Sequence, residues 1–421
     1  MQKIKGTYDL LFDEIKKWQL VEKKIINILN LYNFKEIRTP LIEYEEIFNR
    51  SSRYSEMVSK EMFKFEDKKG RKIALRPEGT VSVVRSYIEN KSKNKLNKLY
   101  YYGPFFRYER PQQGRYRQFY QLGIEVIGIK HFLSEIEILL FLKEIIDIFN
   151  LNNKTVIKIN NLGDKNSRQH FFKIFSSYIQ KNQRELCLLC LKRQKKNILR
   201  IFDCKECSKK NFLKEAPVIL DYLSKDVKKK FQQIINILKK LKFNFVVDPK
   251  LVRGLDYYTD LVFEIEIISN NASDPVVSLG GGGNYNDLME IFNSDRTCNM
   301  GFALGMERLI WLLEKNNYFK NIEFNELEIF LFVLESELLL KSFFLLQKIR
   351  KFGLIAEINY EFGNFSKQLK KILMNKPKYI IFIGKKEINN NFLTIKNVVT
   401  EKIYKFKIKE GIDFLIKELK K

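Results

Sequence analysis

The pattern of strands and helices changes near Leu327, and this change constrains the fold more than any other feature of the 421-residue chain. Before it, two strand-like segments over residues 96–107 and 116–127 flank a polar loop, which is typical of a long antiparallel hairpin. After it, short apolar strands alternate with helical segments, which indicates βαβ units. We therefore predict an α+β chain of two domains. Residues 1–324 contain an antiparallel sheet flanked by helices, and residues 325–421 form an α/β domain with a mixed sheet.

Residues 167–241 are dominated by helical periodicity and lysine, and we predict a mainly helical insertion in the first domain. This segment contains the pairs Cys187-x2-Cys190 and Cys204-x2-Cys207, thirteen residues apart. Two such pairs suit a tetrahedral Cys₄ zinc site. No glycine follows either pair, and residues 187–191 could be helical. Structural Zn²⁺ and free thiols are therefore both open alternatives.

The chain has 76 lysines and arginines against 50 acidic residues, a net charge of +26. Such a charge favours a polyanionic partner, although lysine enrichment could also spread it diffusely over a solvated surface. No secretory signal opens the sequence and no run of about 18 apolar residues occurs, which predicts no membrane association. Five cysteines without a signal favour a reducing, cytoplasmic location over a disulfide scaffold.

Four arginines lie in motif-like segments, at strand ends or beside glycines. Arginine is suited to holding a phosphate through two parallel hydrogen bonds. A single such arginine is more often a surface ion pair, but four in separate segments could converge on one site. The segments are Arg76-Pro77-Glu78-Gly79-Thr80, Phe106-Arg107-Tyr108-Glu109-Arg110-Pro111, Val252-Arg253-Gly254-Leu255-Asp256-Tyr257-Tyr258 and Gly305-Met306-Glu307-Arg308.

Taken together, these segments resemble the class II aminoacyl-tRNA synthetases, and among them the bacterial histidyl-tRNA synthetase family. Residues 36–48 resemble the first class motif, a dimer element, while 102–128 and 301–314 resemble the second and third. Residues 76–80 and 251–258 are similar to stretches peculiar to the histidine enzymes. The stretch Gly363-Asn364-Phe365…Lys367-Gln368 resembles their anticodon-binding domain. The resemblance implies a homodimer that uses ATP with Mg²⁺ to join L-histidine to tRNA(His).

The resemblance also implies roles for individual residues. Arg107 and Arg253 would contact the α-phosphate of ATP, Arg308 would contact adenine and the γ-phosphate, and Arg115 would also lie in the ATP site. The loop over 112–117 would meet the tRNA acceptor end, with Gln112 and Arg117 as candidates. The implied histidine-binding set is Glu78, Gly79, Thr80, Arg107, Gln121, Glu125, Arg253, Tyr257 and Tyr258.

Elementary chemistry agrees with this assignment. A neutral imidazole has one donor and one acceptor nitrogen, which a carboxylate such as Glu125 and a hydroxyl such as Tyr258 would match. Without the family, a structural salt bridge for Glu125 and core packing for Tyr257 and Tyr258 are the simpler interpretations. Amino-acid activation needs no general base, because the attacking carboxylate is already ionised. This fits a chain with two histidines, neither of which lies in a motif.

One position departs from the family pattern, and two other functions compete with the synthetase. Asn284 stands where the histidine enzymes usually have arginine, so we expect it to remove a guanidinium from the floor of the site. The main alternative is a non-catalytic regulatory paralogue, a subunit of ATP phosphoribosyltransferase. Such chains tend to lose the motif arginines and the C-terminal domain, both of which are present here. A nonenzymatic RNA-binding protein would explain only the charge.

Overall fold

The computed structural model describes residues 1–52, 55, 57–90, 97–112, 114–268, 277–322, 324 and 327–420. The chain divides into two compact units, Met1–Lys320 and Asn321–Lys421. Among the helices of these ranges, none has the length and apolar character that crossing a membrane requires.

The first unit is built on an eight-stranded sheet and a smaller three-stranded sheet. The strands are β1 (Lys35–Glu36), β2 (Ile42–Tyr44), β3 (Lys64–Glu66), β4 (Lys72–Leu75), β5 (Lys98–Phe106), β6 (Gln118–Ile127), β7 (Thr155–Asn161), β8 (Val246–Val247), β9 (Thr259–Ile267), β10 (Val277–Asn284) and β11 (Asn299–Gly305). The large sheet has the order β1-β5-β6-β11-β10-β9-β7-β8. Its six central strands are antiparallel to one another, whereas the edge strands β1 and β8 are parallel to β5 and β7. The small sheet has the order β2-β4-β3.

Ten α-helices in the described ranges of the first unit flank these sheets or lie in the segment predicted to be an insertion. They are α1 (Phe12–Leu31), α2 (Glu45–Ser51), α3 (Thr80–Glu89), α4 (Leu133–Ile148), α5 (Lys165–Lys181), α6 (Leu188–Lys196), α7 (Asn211–Lys214), α8 (Lys225–Lys240), α9 (Leu288–Ile291) and α10 (Met306–Lys315). Within the insertion, Phe171 and Phe175 of α5 pack with Ile201 and the buried cysteines into a core of their own.

The predicted hairpin is confirmed, since β5 and β6 pair antiparallel from Lys98–Val126 to Phe106–Gln118. The chain leaves the large sheet after β1 and joins the small sheet as β2, because Pro40 between them has no N–H to donate to a continuous ladder. Two other strand predictions, for residues 253–268 and residues 276–279, were partly wrong. The strand expected over 253–268 begins only at Thr259, because residues 253–258 turn toward the site described below.

The strand expected to end at Leu279 continues through four glycines to Asn284. The neighbouring strand β11 explains why only glycine fits there. A Cβ at Gly280 would lie 2.5 Å from the carbonyl oxygen of Ala303, and one at Gly282 would lie 2.0 Å from that of Gly301. The glycine run is therefore a strand packed against a close neighbour, which periodicity could not indicate because glycine has no apolar side chain to count.

The second unit has a mixed five-stranded sheet, as predicted, with the order β13-β12-β14-β15-β16. β12 is parallel to β13 and β14, whereas β15 is antiparallel to β14 and β16. The elements are β12 (Ile329–Val333), α11 (Leu339–Lys351), β13 (Ala356–Ile358), α12 (Phe365–Met374), β14 (Tyr379–Ile383), α13 (Lys385–Asn389), β15 (Phe392–Asn397), β16 (Ile403–Lys407) and α14 (Ile408–Leu419).

Candidate active site

A cavity of about 420 Å³ lies over the large sheet of the first unit. Part of its floor comes from one row of residues paired across five strands, with small residues at the centre and larger ones at both ends. In order the row is Tyr101, Gly123, Ala303, Gly281 and Glu264. All but Gly123 line the cavity, because the Tyr101 ring lies over Gly123. The small residues leave depth above the sheet, and the side chains of the surrounding loops close the sides.

Three of the four motif arginines line this cavity, together with Arg115. Arg107 donates from Nε to the carbonyl oxygen of Pro77 at 2.9 Å, which fixes its guanidinium over the ring of Phe119. Arg308 of α10 is held by the carbonyl oxygens of Gly114 and Ser278. Burial and the positive charge of Arg115 lower the pKa of Arg308. Several guanidinium groups thus face one space, which favours an anion there.

Arg253 lies flat against the glycine strand β10. Its Nη1 is 2.9 Å from Oε2 of Glu264, and a Cβ at Gly281 would come within 2.6 Å of its guanidinium. The absence of a side chain at position 281 is thus what allows the guanidinium to approach the sheet. Glu264 was not identified from the sequence, because its pairing with Arg253 depends on a contact between a loop and β9.

The fourth motif arginine, Arg76, does not line the cavity, so our expectation of four converging arginines was wrong for this residue. Arg76 is buried, and its guanidinium donates to the carbonyl oxygens of Pro104 and Thr39 and to the hydroxyl of Thr39. The Arg76 guanidinium is thus used to satisfy buried backbone acceptors. Its bond to Pro104 links the start of residues 76–80 to β5.

Glu78 and Thr80 line the end of the cavity where α3 begins. The Glu78 carboxylate accepts hydrogen bonds from the backbone N–H of Thr80 and Val81 at 2.7 and 2.9 Å, as a capping side chain does. Gly79 is required for packing, because a Cβ there would lie 2.2 Å from the ring of Tyr101.

Glu125 lies below this end of the cavity and is fully buried, so it is not among the lining residues. Its Oε1 accepts a hydrogen bond from the hydroxyl of Thr80 at 2.7 Å. Its Oε2 has no hydrogen-bond partner among the described side chains and faces Gly301, where a Cβ would lie 1.9 Å away. Burial raises the pKa of Glu125 to about 8, against the lowering effect of Thr80 and Tyr285. Oε2 thus accepts no hydrogen bond of its own, although the Tyr285 hydroxyl lies near the carboxyl group.

The raised pKa predicts how stability depends on pH. Between the ordinary value of 4.5 and about 8, folded Glu125 keeps a proton that the unfolded chain has released, so the free energy of unfolding falls as pH rises. Glu125→Gln removes this dependence. We expect the melting temperature of the unchanged protein to fall between pH 5 and pH 8 by several degrees more than that of the variant. If the melting temperatures of the unchanged protein and the variant fall by the same amount between pH 5 and pH 8, the assignment is contradicted.

Tyr257, Tyr258 and Gln121 also line the cavity, as does Tyr101, which the sequence did not point to. Tyr257 donates to Glu78 at 3.4 Å, and burial raises the pKa of Tyr258 to about 12. Tyr258 therefore keeps its proton as a hydrogen-bond donor at neutral pH. The position of Tyr101 in the cavity depends on contacts of its ring with Gly79 and Gly123. The alternating pattern of β5 does not reveal these contacts, so no signal in the sequence indicated this residue.

Gln112 and Arg117 lie in the loop between β5 and β6 and do not line the cavity. Gln112 is exposed and forms a backbone bridge with Arg115. The guanidinium of Arg117 lies 4.0 Å from the centre of the Tyr108 ring. Both His131 and His170 are exposed, and neither belongs to the cavity.

Asn284 lies outside the cavity, so our expectation that it forms part of the site floor was wrong. Its side chain accepts from the backbone N–H of Leu261 at 3.0 Å and donates to Glu135 of α4 at 3.1 Å. Asn284 and Glu135 line a separate small space together with Lys230. Asn284 therefore joins β10 to β9 and α4.

The sulfur atoms of Cys187, Cys190, Cys204 and Cys207 all lie within 4.8 Å of one another. Backbone N–H groups point at the sulfurs: that of Cys190 at Cys187 Sγ and that of Cys207 at Cys204 Sγ, both at 3.4 Å. Helix α6 begins directly after Cys187, so the helix predicted near residues 187–191 is present. It does not prevent the two cysteine pairs from meeting. None of the five cysteines, all within the described residues, forms a disulfide. Cys298, which the sequence left alone, is partly buried and lies away from the four.

Comparison with known proteins adds independent evidence. A profile described as histidyl-tRNA synthetase matches residues 6–309, and an anticodon-binding domain profile matches residues 329–418. The histidine–tRNA ligase of Phytoplasma mali is 50% identical over 421 residues, covering 100% of this chain and 99% of the relative. That of Bacillus licheniformis is 40% identical over 398 residues, covering 93% of each chain.

Solved structures agree with the sequence relatives. The apo histidyl-tRNA synthetase of S. aureus superposes with a TM-score of 0.83 and 32% identity, covering 99% of this chain and 100% of that one. A Bacillus halodurans protein described as an ATP phosphoribosyltransferase regulatory subunit/histidyl-tRNA synthetase gives 0.64 at 20% identity, covering 90% and 97%, and shares the fold.

Proposed function

This chain belongs to the histidyl-tRNA synthetase family, and we propose that its cavity carries out the two steps of that family's reaction. In the first step, L-histidine and ATP form histidyl-adenylate and pyrophosphate. In the second, the histidyl group is transferred to the 3′ end of tRNA(His), and AMP is released. The observation that carries this proposal is that Arg107, Arg253 and Arg308 face one cavity beside a polar pocket of Glu78, Thr80 and Tyr258.

The arginines supply what the first step requires. A carboxylate oxygen of histidine forms a bond to the α-phosphorus, and the bond between that phosphorus and the bridging oxygen of pyrophosphate breaks. Charge grows on the phosphoryl and leaving oxygens, so fixed positive groups accelerate the reaction by positioning and electrostatics. Arg107 and Arg253 act at the α-phosphate, while Arg308 holds adenine and the γ-phosphate, with Arg115 beside it.

Mg²⁺ bound to the phosphates would add charge neutralisation when present. It is usually held by one or two carboxylates together with the phosphates. Glu109 and Glu264 line the cavity beside the arginines, so the donor set fits such an ion.

The polar pocket provides the selectivity for histidine. Glu125 releases its proton when histidine binds and accepts the imidazole N–H with its buried Oε2, and the Tyr258 hydroxyl donates to the other ring nitrogen. Glu78 and Thr80 hold the ammonium group, and Gln121 lies beside the amino end. Gly79 and Tyr257 shape this pocket. An amino acid without both nitrogens would leave buried polar groups unpaired.

In the second step, a hydroxyl of the terminal ribose attacks the activated carbonyl and the bond to AMP breaks. Gln112 and Arg117 in the β5–β6 loop contact the acceptor end, and the second unit binds the anticodon. The regulatory paralogue is not favoured, because the catalytic arginines and the anticodon-binding unit are both present. We assign the chain to the cytoplasm, where its substrates occur.

Transfer of labelled histidine to tRNA tests the complete reaction. We expect the purified protein to charge a tRNA(His) transcript and to leave a matched transcript for another amino acid uncharged. Adenylate formation without any charging of tRNA(His) would contradict the second step alone.

We further propose that two chains form a homodimer through residues 36–48. Leu41, Ile42 and Tyr44 are large apolar side chains that are 41%, 51% and 53% exposed in the single chain. A partner chain would remove this apolar surface from water. Light scattering should give twice the mass of one chain, and a monomer at all working concentrations would contradict this.

We also propose that the four-cysteine cluster binds one structural Zn²⁺. Tetrahedral Zn–S bonds of about 2.3 Å place sulfurs roughly 3.8 Å apart. The Cys187 and Cys204 sulfurs are already 3.6 Å apart, and the N–H groups aimed at sulfur suit thiolate ligands.

Metal analysis of the purified protein should therefore find about one zinc per chain. The double variant Cys204→Ser/Cys207→Ser should lose the metal, whereas the control Cys298→Ser should retain it. A zinc-free protein after purification without chelators and after zinc supplementation would rule the site out.

A further inference from the structure

The segment between the two cysteine pairs reaches the loop over residues 251–258, which carries Arg253 and Tyr258. Asn197 Nδ2 donates to Oδ1 of Asp256 at 2.6 Å. Arg200 Nη1 donates to the backbone carbonyl oxygen of Arg253 at 3.5 Å. A Cβ at Gly254 would lie 3.2 Å from this same Nη1, so the arginine packs closely on the loop.

Arg200 is itself held within the insertion. Its Nη2 is 3.1 Å from Asp203, and its own carbonyl oxygen accepts from the guanidinium of Arg193 at 2.8 Å. Its side chain is only 14% exposed, and it lines the cavity with Asp203. Arg200 is one of seven basic side chains within residues 181–200, for which the sequence leaves acceptor-stem binding and a solvated charged helix equally open. The structure directs this particular side chain inward, at the loop over residues 251–258.

We propose that Asn197 and Arg200 are positioning residues for the reaction, acting through Asp256 and the Arg253 backbone, and that the four-cysteine cluster holds them in place. Cys190 and Cys204 flank the segment, and both are buried in the core of the insertion. A metal joining the cysteines closes this loop and limits its conformations. Loss of the cluster frees the segment, which in turn releases the Arg253 loop. Adenylate formation thus depends on a metal site that touches no substrate. The catalytic part of this inference rests on the function proposed above.

Hydrogen exchange measured by mass spectrometry tests the positioning independently of activity. We expect Asn197→Ala and Arg200→Lys to increase exchange in peptides covering 251–258 while peptides from α4 stay protected. The control is Lys195→Ala/Lys196→Ala, which changes two exposed side chains of the same segment. Removing the metal by chelation should increase exchange in 191–203 and 251–258 together. If 251–258 stays protected when 191–203 opens, the coupling to the cluster is overturned.

Kinetics supplies the second readout. Misplacing a catalytic group by about 1 Å can cost roughly 10²-fold in rate, so we expect Asn197→Ala to lower kcat for histidine-dependent pyrophosphate exchange by about that factor. Arg200→Lys, which retains the charge without the planar fork, should lower it less. In an Asp256→Ala background, Asn197→Ala should have no additional effect.

The outcomes separate this inference from the proposed function. If the unchanged protein activates histidine and both variants match the lysine control, the positioning role is overturned. If the unchanged protein shows no exchange reaction, the proposed function fails, and the peptide measurements still decide the positioning role.

Discussion

Replacing Arg253 with alanine is expected to lower histidine-dependent adenylate formation by about 10³-fold while the fold persists. The guanidinium lies flat on Gly281, faces the cavity and is fixed by Glu264 at 2.9 Å. It is therefore preorganised before any phosphate binds, which is the condition under which a charged donor contributes most to catalysis. Pyrophosphate exchange with saturating histidine measures the effect, and circular dichroism checks the fold.

The alanine variant also leaves Glu264 without its partner, so a matched control is needed. Arg85 on α3 is an arginine of similar exposure that pairs with buried Glu43 at 2.6 Å and lies outside the cavity. Arg85→Ala should cost stability without a comparable loss of adenylation. Near-normal adenylation by Arg253→Ala would refute the role of this residue at the α-phosphate.

Glu125→Gln is expected to reduce kcat/KM for histidine by at least about 10²-fold, with little change in the KM for ATP. Thr80 already donates to one carboxyl oxygen at 2.7 Å, so the single amide oxygen of glutamine would remain with Thr80. The amide NH₂ group would then take the place of Oε2 and face the imidazole N–H, setting two donors against each other. A buried polar group without a partner is costly, and the selective pocket loses its acceptor.

Glu135→Gln is the matched control for this variant. Glu135 is also a buried carboxylate, but it contacts Asn284 and Lys230 and lies away from the cavity. It should affect stability and leave histidine activation close to normal. Equal losses in both variants would mean that Glu125 has a structural role, and unchanged activity of Glu125→Gln would exclude it from the pocket.

The sequence predicted those features that depend on local pattern. The β5–β6 hairpin, the alternating elements after residue 327 and the arginine segments are all visible in spacing, turn residues and charge. Periodicity also predicts helices over residues 13–31 and 338–352, each within a residue of the observed bounds of α1 and α11. Local pattern was sufficient there because each element owes its form to residues close to it in the chain.

Features that depend on contacts between distant segments could not be predicted. Arg76 and Arg253 have similar sequence surroundings, but Arg76 donates to backbone carbonyl oxygens, whereas Arg253 faces the cavity. The floor of the cavity pairs residues from five strands, so Tyr101 and Glu264 gain their significance only from the sheet order. The contact of Arg200 with the loop over residues 251–258 could not be predicted for the same reason, since its partner lies 53 positions further along the chain.

The most direct test of the central claim is amino-acid-dependent exchange of label between pyrophosphate and ATP, run with each of the twenty amino acids and without tRNA. We predict exchange with histidine alone, because the arginine cavity performs adenylation and the pocket around Glu125 and Tyr258 selects the imidazole. A folded protein that binds histidine but supports exchange with no amino acid would contradict the account and favour the regulatory paralogue.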